Sequence, residues 1–267
     1  MEARQDISPH HLAKVKNFHD LDAPQYERLR YCPDTCEGLA YVTRKDLVLA
    51  SLDQSSGRIL DIGCGPGILT KDLIRRNLKV FSADLSMEMI KHAREQVKAE
   101  SGRDNAHFVA SDVSGLCFSD GMIDNVLCIG VVCYVTDYTM LLSEIYRVLK
   151  PGGFAVIQIN NIRWPGIYRK FVPVYRYLKS RLTGKKYDGL TFDFNLFSRP
   201  AFLQDLKKGG FQITGLSHYD FRVPFADILL PKMSVKLSSF MHERRTLRFL
   251  RHFAHGLLIT CRKVECS

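Results

Sequence analysis

In the stretch "ILDIGCGPGILT" three glycines, Gly63, Gly65 and Gly67, occupy alternate positions after an apolar run and before a helical pattern. Glycine is costly unless the backbone must take positive φ or something must approach it closely, so the spacing points to a tight turn pressed against a ligand. The helix that follows aims free N–H groups and the positive end of its dipole at the space above that turn, which suits an anion or carboxylate. The spacing is G-x-G-x-G, with Ile68 where a dinucleotide turn would carry its third glycine. This counts against a pyrophosphate.

Two acids complete the pattern. Asp84 ends the next apolar run, 19 residues after Gly65, where a carboxylate can accept hydrogen bonds from both hydroxyls of a ribose, and Asp112 ends the run after that. Either acid alone could equally be a helix N-cap. Together with the glycine turn they fit a nucleoside lying along the carboxyl edge of a parallel sheet.

The elements that must position these residues alternate between short apolar strands and amphipathic helices, the pattern of a parallel sheet covered on both faces. Strands are expected at 58–63, 79–84, 107–112, 123–130 and 154–160, and helices at about 67–77, 86–101 and 136–150. Ser86 is the expected cap of the second helix and Thr136 or Asp137 that of the third. The "KPGG" at 150–153 is expected to stop the third helix and turn the chain into its next strand. Farther on come a helix at about 199–208, a strand "FQITGLSHYDF" and a last strand "GLLITCRKV". The expected architecture is α/β: a Rossmann-like, doubly wound sheet of seven strands, the last antiparallel. A helical arm (1–56) precedes the domain proper (57–267), and helical caps are inserted at about 163–200 and 222–250.

With 267 residues, 46% of them hydrophobic, the chain can bury a large core. It has neither an 18-residue apolar run nor an apolar N-terminal signal segment, so a cytoplasmic location is expected. Cys32, Cys36, Cys64, Cys117, Cys128, Cys133, Cys261 and Cys266 are scattered and read as reduced thiols. Cys32 and Cys36 could meet on adjacent helical turns, but no second ligand pair accompanies them and no metal is expected. The net charge of +10 is uneven: residues 1–162 carry 18 Lys+Arg against 21 Asp+Glu, and residues 163–267 carry 20 against 7.

Taken in order, "LDIGCGPG", "SADLSMEMI", "ASDV" and "EIYRVLKPGGFAVI" resemble the motifs of class I S-adenosylmethionine-dependent methyltransferases, in the branch of ubiquinone- and menaquinone-type small-molecule enzymes. The resemblance spans about 17–160. It implies that Asp61, Gly63, Gly65 and Gly67, with the backbone of Cys64, hold the methionine part of S-adenosylmethionine. Asp84 would then take the ribose hydroxyls, Leu85 and Met89 would line the adenine, and Asp112 and the Val113 N–H would meet its edge. Ile129 and Gly130 would offer carbonyls to the ammonium. In the arm, "NFHDLDAPQYERLRY" is similar to the family's entry segment, which implies that Tyr26 and Arg30 close over the cofactor, Arg30 on its carboxylate.

The same resemblance implies transfer of a methyl group to a small-molecule acceptor, best read as a hydroxyl of an apolar, acidic or lipid-linked compound, by in-line displacement. Relatives often carry a His after the fourth strand, where this chain reads "GVVCYV" with Cys133 and Tyr134. A hydroxyl acceptor needs a base, and the candidates are Tyr134, His218 and Asp220. The basic C-terminal segments, with Phe171, Val174, Tyr175 and Leu178 in one and Leu237, Phe240, Met241, Leu247 and Phe249 in the other, suit a lid or a peripheral contact with an anionic membrane. Nucleic acid is supported by charge alone, so an RNA methyltransferase is the second reading. A non-catalytic cofactor-binding scaffold is the third.

Overall fold

The computed structural model describes residues 9–52, 56–160, 197–221, 230–252 and 254–264, with 174, 180 and 181. The cap expected at 163–200 therefore lies almost wholly outside the described residues, as does the start of the one expected at 222–250.

Seven strands form one sheet: β1 (Arg58–Ile62), β2 (Lys79–Asp84), β3 (Ala106–Ala110), β4 (Ile123–Cys128), β5 (Leu149–Asn160), β6 (Phe211–Phe221) and β7 (Ala254–Lys263). Their spatial order is β3-β2-β1-β4-β5-β7-β6. Neighbours from β3 to β5 pair in parallel, and β7 runs antiparallel to both β5 and β6. The order reverses between β1 and β4, which opens a crevice beyond their carboxyl ends, the place where sheets of this kind take ligands.

The alternation of side chains along each strand splits the core in two. Leu60, Val126, Cys128 and Ile157 pack on one face against α6 (Tyr138–Val148) and α7 (Arg199–Lys208), through Leu141, Ile145, Phe202 and Leu206. Ile59, Val80, Leu127 and Val156 pack on the other face against α3 (Cys36–Ser51) and α4 (Ile68–Arg75), through Val48, Leu49, Leu69 and Leu73. The sheet is doubly wound, as its alternating pattern predicts. Two further helices, α1 (Pro9–Asp22) and α2 (Tyr26–Arg30), come before α3, so the chain reaches β1 through three helices.

Helix starts follow their caps. Ser86 opens α5 (Met87–Val97) by accepting the Met89 N–H at 3.1 Å, and Asp137 rather than Thr136 opens α6, accepting the Thr139 N–H at 2.9 Å. The structure departs from expectation at "KPGG", because β5 already begins at Leu149. Leu149 pairs with Ile123 and Phe154 with Asn125, and the residues between bulge out of the ladder. Among the described residues the cysteines are all free thiols and no cluster of three or more acidic, Cys or His residues could hold a metal.

Candidate active site

At the carboxyl end of β1 the chain turns over the sheet edge and is pinned there by its own backbone. The Gly63 and Cys64 N–H groups both donate to the Ala83 carbonyl of β2, at 2.7 and 3.1 Å. Two of the glycines divide the work. Gly67 (φ +82°) would place a Cβ 2.8 Å from that of Ala93, so it lets α5 pack close to the turn, whereas a Cβ on Gly65 (φ +54°) would meet nothing within 4 Å. The space above Gly65 is thus open for a ligand. Gly67, expected on the cofactor, faces α5 instead.

Asp84 ties this turn to the next helix. Its carboxylate accepts the Gly65 N–H at 2.8 Å and the Ser86 N–H at 2.9 Å. Burial pushes its pKa up, against the pull of those two N–H groups. The carboxylate borders a cavity of about 390 Å³ that also takes in Gly63, Gly65, Leu85, Met89, Asp112, Val113, Ile129 and Gly130. Asp112 accepts the Ser114 N–H at 3.0 Å and so shapes its own loop as well as the wall.

A smaller chamber of about 30 Å³ is lined by Asp61, Gly63, Cys64, Gly65, Arg44 and Lys45. Asp61 is fully buried and one of its carboxyl oxygens has no hydrogen-bond partner. Burial first, then the negative Asp84, push its pKa up to about 7, while the Thr70 hydroxyl pulls the other way. In the unfolded chain the same group titrates near 4. Between roughly pH 4 and 7 the folded chain therefore holds a proton that the unfolded chain has released, so stability falls as pH rises through that window, by up to about 1.4 kcal/mol per pH unit. Asp61→Asn is expected to flatten this slope in urea unfolding of the unliganded protein. An equally steep slope in the variant would contradict the assignment.

Arg44 is the cation that the sequence did not single out. It extends from α3 into both spaces, with its guanidinium over the Tyr41 ring at 4.4 Å. Burial opposes its charge, yet Tyr219, Tyr31, Tyr41 and Tyr26 together hold its pKa above the ordinary value. Among the described residues it makes no ion pair with a carboxylate. Arg30, expected in that role, lines the larger cavity with Tyr26, paired with Asp22 at 2.5 Å and stacked over the Tyr26 ring at 4.3 Å. Its charge is already answered. A buried acid oxygen and a guanidinium lacking an acid partner on one chamber, beside open space above Gly65, fit the amino-acid end of a zwitterionic nucleoside.

The remaining walls come from farther away. From α1, His11, Val15, Phe18 and His19 line the cavity, and α1 is moored by His11 Nε2 donating to the Tyr134 carbonyl at 2.9 Å and by the Ser86 hydroxyl donating to Asp20. Burial and the Arg30 charge hold the His19 imidazole down to about 4, so it faces the cavity neutral. Gln158 accepts the Gly130 N–H at 2.9 Å and donates to Asn160 at 2.9 Å, setting a polar strip at the end of β5.

Of the three candidate bases, Tyr134 and Asp220 line the cavity and His218 does not. His218 lies 3.3 Å from Arg199 of α7, where burial and the charges of Arg199 and Arg251 hold its pKa down to about 4. It packs toward α7 and off the cavity wall. Tyr134 is a poor proton acceptor, because burial pushes its hydroxyl well above the usual range. The Cys133 thiol is pushed up to about 12 by burial and is no nucleophile.

The structure supplies a different imidazole. Asp220 sits at φ +58° between the cross-strand pairs Tyr219–Gly256 and Phe221–Ala254, and its carboxylate meets Nδ1 of His255 at 3.1 Å. Both line the cavity. Tyr219 can cross toward β7 because a Cβ on Gly256 would lie 2.3 Å from its ring. The Asp220 N–H donates to Nε2 of His242 at 3.0 Å, on α8 (Pro231–Glu243). Because β7 is antiparallel, it is its start that reaches the rim where the parallel strands end, and this was the signal for His255.

Residues 60–157 match the family described as Methyltransferase domain. A ubiquinone biosynthesis O-methyltransferase of Xanthomonas axonopodis pv. citri (strain 306) is 29% identical over 212 residues, 77% of this chain and 86% of that protein. A tRNA 5-carboxymethoxyuridine methyltransferase of Escherichia coli (strain K12) is 28% identical over 205 residues, 75% of this chain and 77% of that protein. Among solved structures, a geranyl diphosphate C-methyltransferase from Streptomyces coelicolor A3(2) superposes with TM-score 0.65 at 15% identity, over 97% of this chain and 100% of the other. The [4+2]-cyclase SpnF superposes with TM-score 0.63 at 17% identity, over 94% and 96%. At such identities the structures show a shared fold, which hosts more than one chemistry.

Proposed function

We propose that this chain, a class I S-adenosylmethionine-dependent methyltransferase by its matched domain and relatives, methylates a hydroxyl of a small, largely apolar or acidic acceptor. The observation that carries this reading is the Asp220–His255 pair on the wall of the same cavity as the glycine turn and Asp84. On the same reading Asp84 takes the ribose, and Arg44 with Asp61 takes the amino-acid end. Residues 1–56 act as a lid on the domain 57–267.

When bound, the cofactor supplies a methyl group already activated on a positive sulfur. The protein is left with two tasks, to align the acceptor oxygen and to take its proton. Alignment in a closed, apolar space can account for roughly 7–11 kcal/mol of a barrier, and Val15, Phe18, Val135 and Leu141 supply apolar walls for it. For the proton, Asp220 fixes the His255 tautomer by accepting Nδ1–H, which puts the ring's lone pair on Nε2. A base so held contributes typically about 10²–10⁴-fold.

A tRNA acceptor is the second reading, favoured by the Escherichia coli relative and by the basic C-terminal part. Incubation with labelled cofactor, a panel of phenols, alcohols, carboxylates and amines, and bulk tRNA separates the two. The proposal expects an O-methyl product from a small hydroxyl compound and little affinity for tRNA. Methylated tRNA, with binding that collapses as salt is raised, would select the second reading, and cofactor binding without any product would select a scaffold. The proposal extends to a lipid-linked acceptor and a peripheral membrane contact. Among the described residues no helix is long and apolar enough to cross a membrane.

A further inference from the structure

An amphipathic surface helix normally buries its apolar stripe and exposes its polar one. Helix α8 does the reverse. Its inward face carries Ser234, Ser238 and His242 beside Met241, all buried, while Met233 (57% exposed), Leu237 (40%) and Phe240 (50%) point outward. Leu230 before the helix, and Leu247 and Phe249 after it, are exposed too. The stretch 230–249 thus holds six of the twelve large apolar side chains exposed among the described residues.

The helix is locked in this orientation by its buried polar groups. The Ser234 hydroxyl lies 3.2 Å from Sγ of Cys36, the Ser238 hydroxyl donates to the Phe221 carbonyl at 2.7 Å, and His242 donates from Nδ1 to the Ser238 carbonyl while Nε2 accepts the Asp220 N–H. Rotating the helix to hide its apolar face would orphan these groups in the interior, which is costly. The apolar face is therefore held outward by the fold. Exposed Lys232, Lys236, Arg244 and Arg245 flank it against one exposed acid, Glu243, and the Arg244 guanidinium lies 3.9 Å over the Phe240 ring.

Apolar side chains ringed by cations match an anionic bilayer surface, whose headgroup phosphates take the cations while its acyl boundary takes the rings and aliphatic tips. We propose that the outer face of α8, with Leu230, Leu247 and Phe249, seats this protein on an anionic membrane. The inner face of the same helix holds the Asp220 backbone, so the seated face lies behind the wall that carries His255. An acceptor partitioned into the bilayer would reach the cavity beside it. That delivery rests on the hydroxyl-methylation reading; the membrane contact itself rests only on the face.

The test is flotation of the full chain with vesicles of phosphatidylcholine alone or mixed with phosphatidylglycerol, alongside calorimetry with S-adenosylmethionine. Wild type should float with the anionic vesicles and stay in solution with the neutral ones. A Leu237→Glu/Phe240→Glu variant should lose flotation by roughly tenfold or more, and Lys232→Glu/Arg244→Glu likewise, with cofactor affinity and thermal midpoint unchanged in both. Equal binding to neutral vesicles, or no binding to either, overturns the proposal while leaving the methyltransferase reading intact. A wild-type dimer that Leu237→Glu/Phe240→Glu converts to monomer also overturns it, because a second copy then covers the face. Flotation together with failure to methylate any hydroxyl compound would instead sink the acceptor reading and leave the membrane contact standing.

Discussion

Asp84→Ala is expected to weaken S-adenosylmethionine binding by about 10²–10⁴-fold while leaving the chain folded. The figure follows from two hydrogen bonds between a carboxylate and the ribose hydroxyls, each worth roughly 1.5–3 kcal/mol when one partner is charged. A second loss adds to it, because the same carboxylate holds the Gly65 N–H at 2.8 Å and so fixes the turn that must cradle the ligand. The fold survives because the cap of α5 is Ser86, whose hydroxyl accepts the Met89 N–H without help from Asp84, and because Gly63 and Cys64 are anchored to Ala83 by backbone alone. Asp84→Asn should fall between the two, keeping the shape but presenting an amide to an N–H that wants a carboxylate. Calorimetry gives the affinity and urea unfolding the stability. Wild-type affinity in Asp84→Ala would remove the cofactor from this edge of the sheet.

The second large effect is on turnover. His255→Ala should lower kcat by about 10²–10⁴-fold, the usual share of a positioned base, with cofactor affinity within about twofold of wild type, since the glycine turn, Asp84 and Arg44 are untouched. Asp220→Asn should lose less, because an amide still orients the ring while no longer favouring the cationic form it takes with the proton. His218→Ala is the control on the neighbouring position: the ring lies beside Arg199 of α7 and does not line the cavity, so kcat should hold even if stability drops. A kcat that survives His255→Ala would show that the acceptor needs no base, as a neutral amine does not, and the hydroxyl reading would fall.

These two predictions differ in how much of their basis could be read from the sequence. Asp84 and the glycine turn are local: one apolar run, one turn and one helix cap place them, and the strand Lys79–Asp84 ends where its pattern ends. His255 depends on facts that no short window contains. It reaches the rim because β7 runs against its neighbours, and it meets Asp220 because a left-handed residue opens β6 at that level. His218 is two residues from Asp220 in sequence, but cross-strand pairing decides which imidazole meets that carboxylate, and it brings His255. Arg44 was missed for a similar reason. It lies in the middle of a regular helix, and only the packing of α3 on the sheet turns its side chain toward the chamber. Arg30 has the right charge, but its partner Asp22 is eight residues earlier and is brought back by the short helices between. At β5 the signal was present but ambiguous, since a Pro-Gly-Gly run that reads as a break was absorbed as a bulge.

The placement of β7 also bears on how the polypeptide is assembled. It is the seventh strand in chain order yet lies between β5 and β6, hydrogen-bonded along both sides. Until residues 254–263 leave the ribosome, the edges of β5 and β6 that β7 covers lack their native partner, and such edges invite pairing with other chains. Closure of the sheet and arrival of His255 at the cavity are then one late event. A translation product halted just short of it would be both inert and prone to clump.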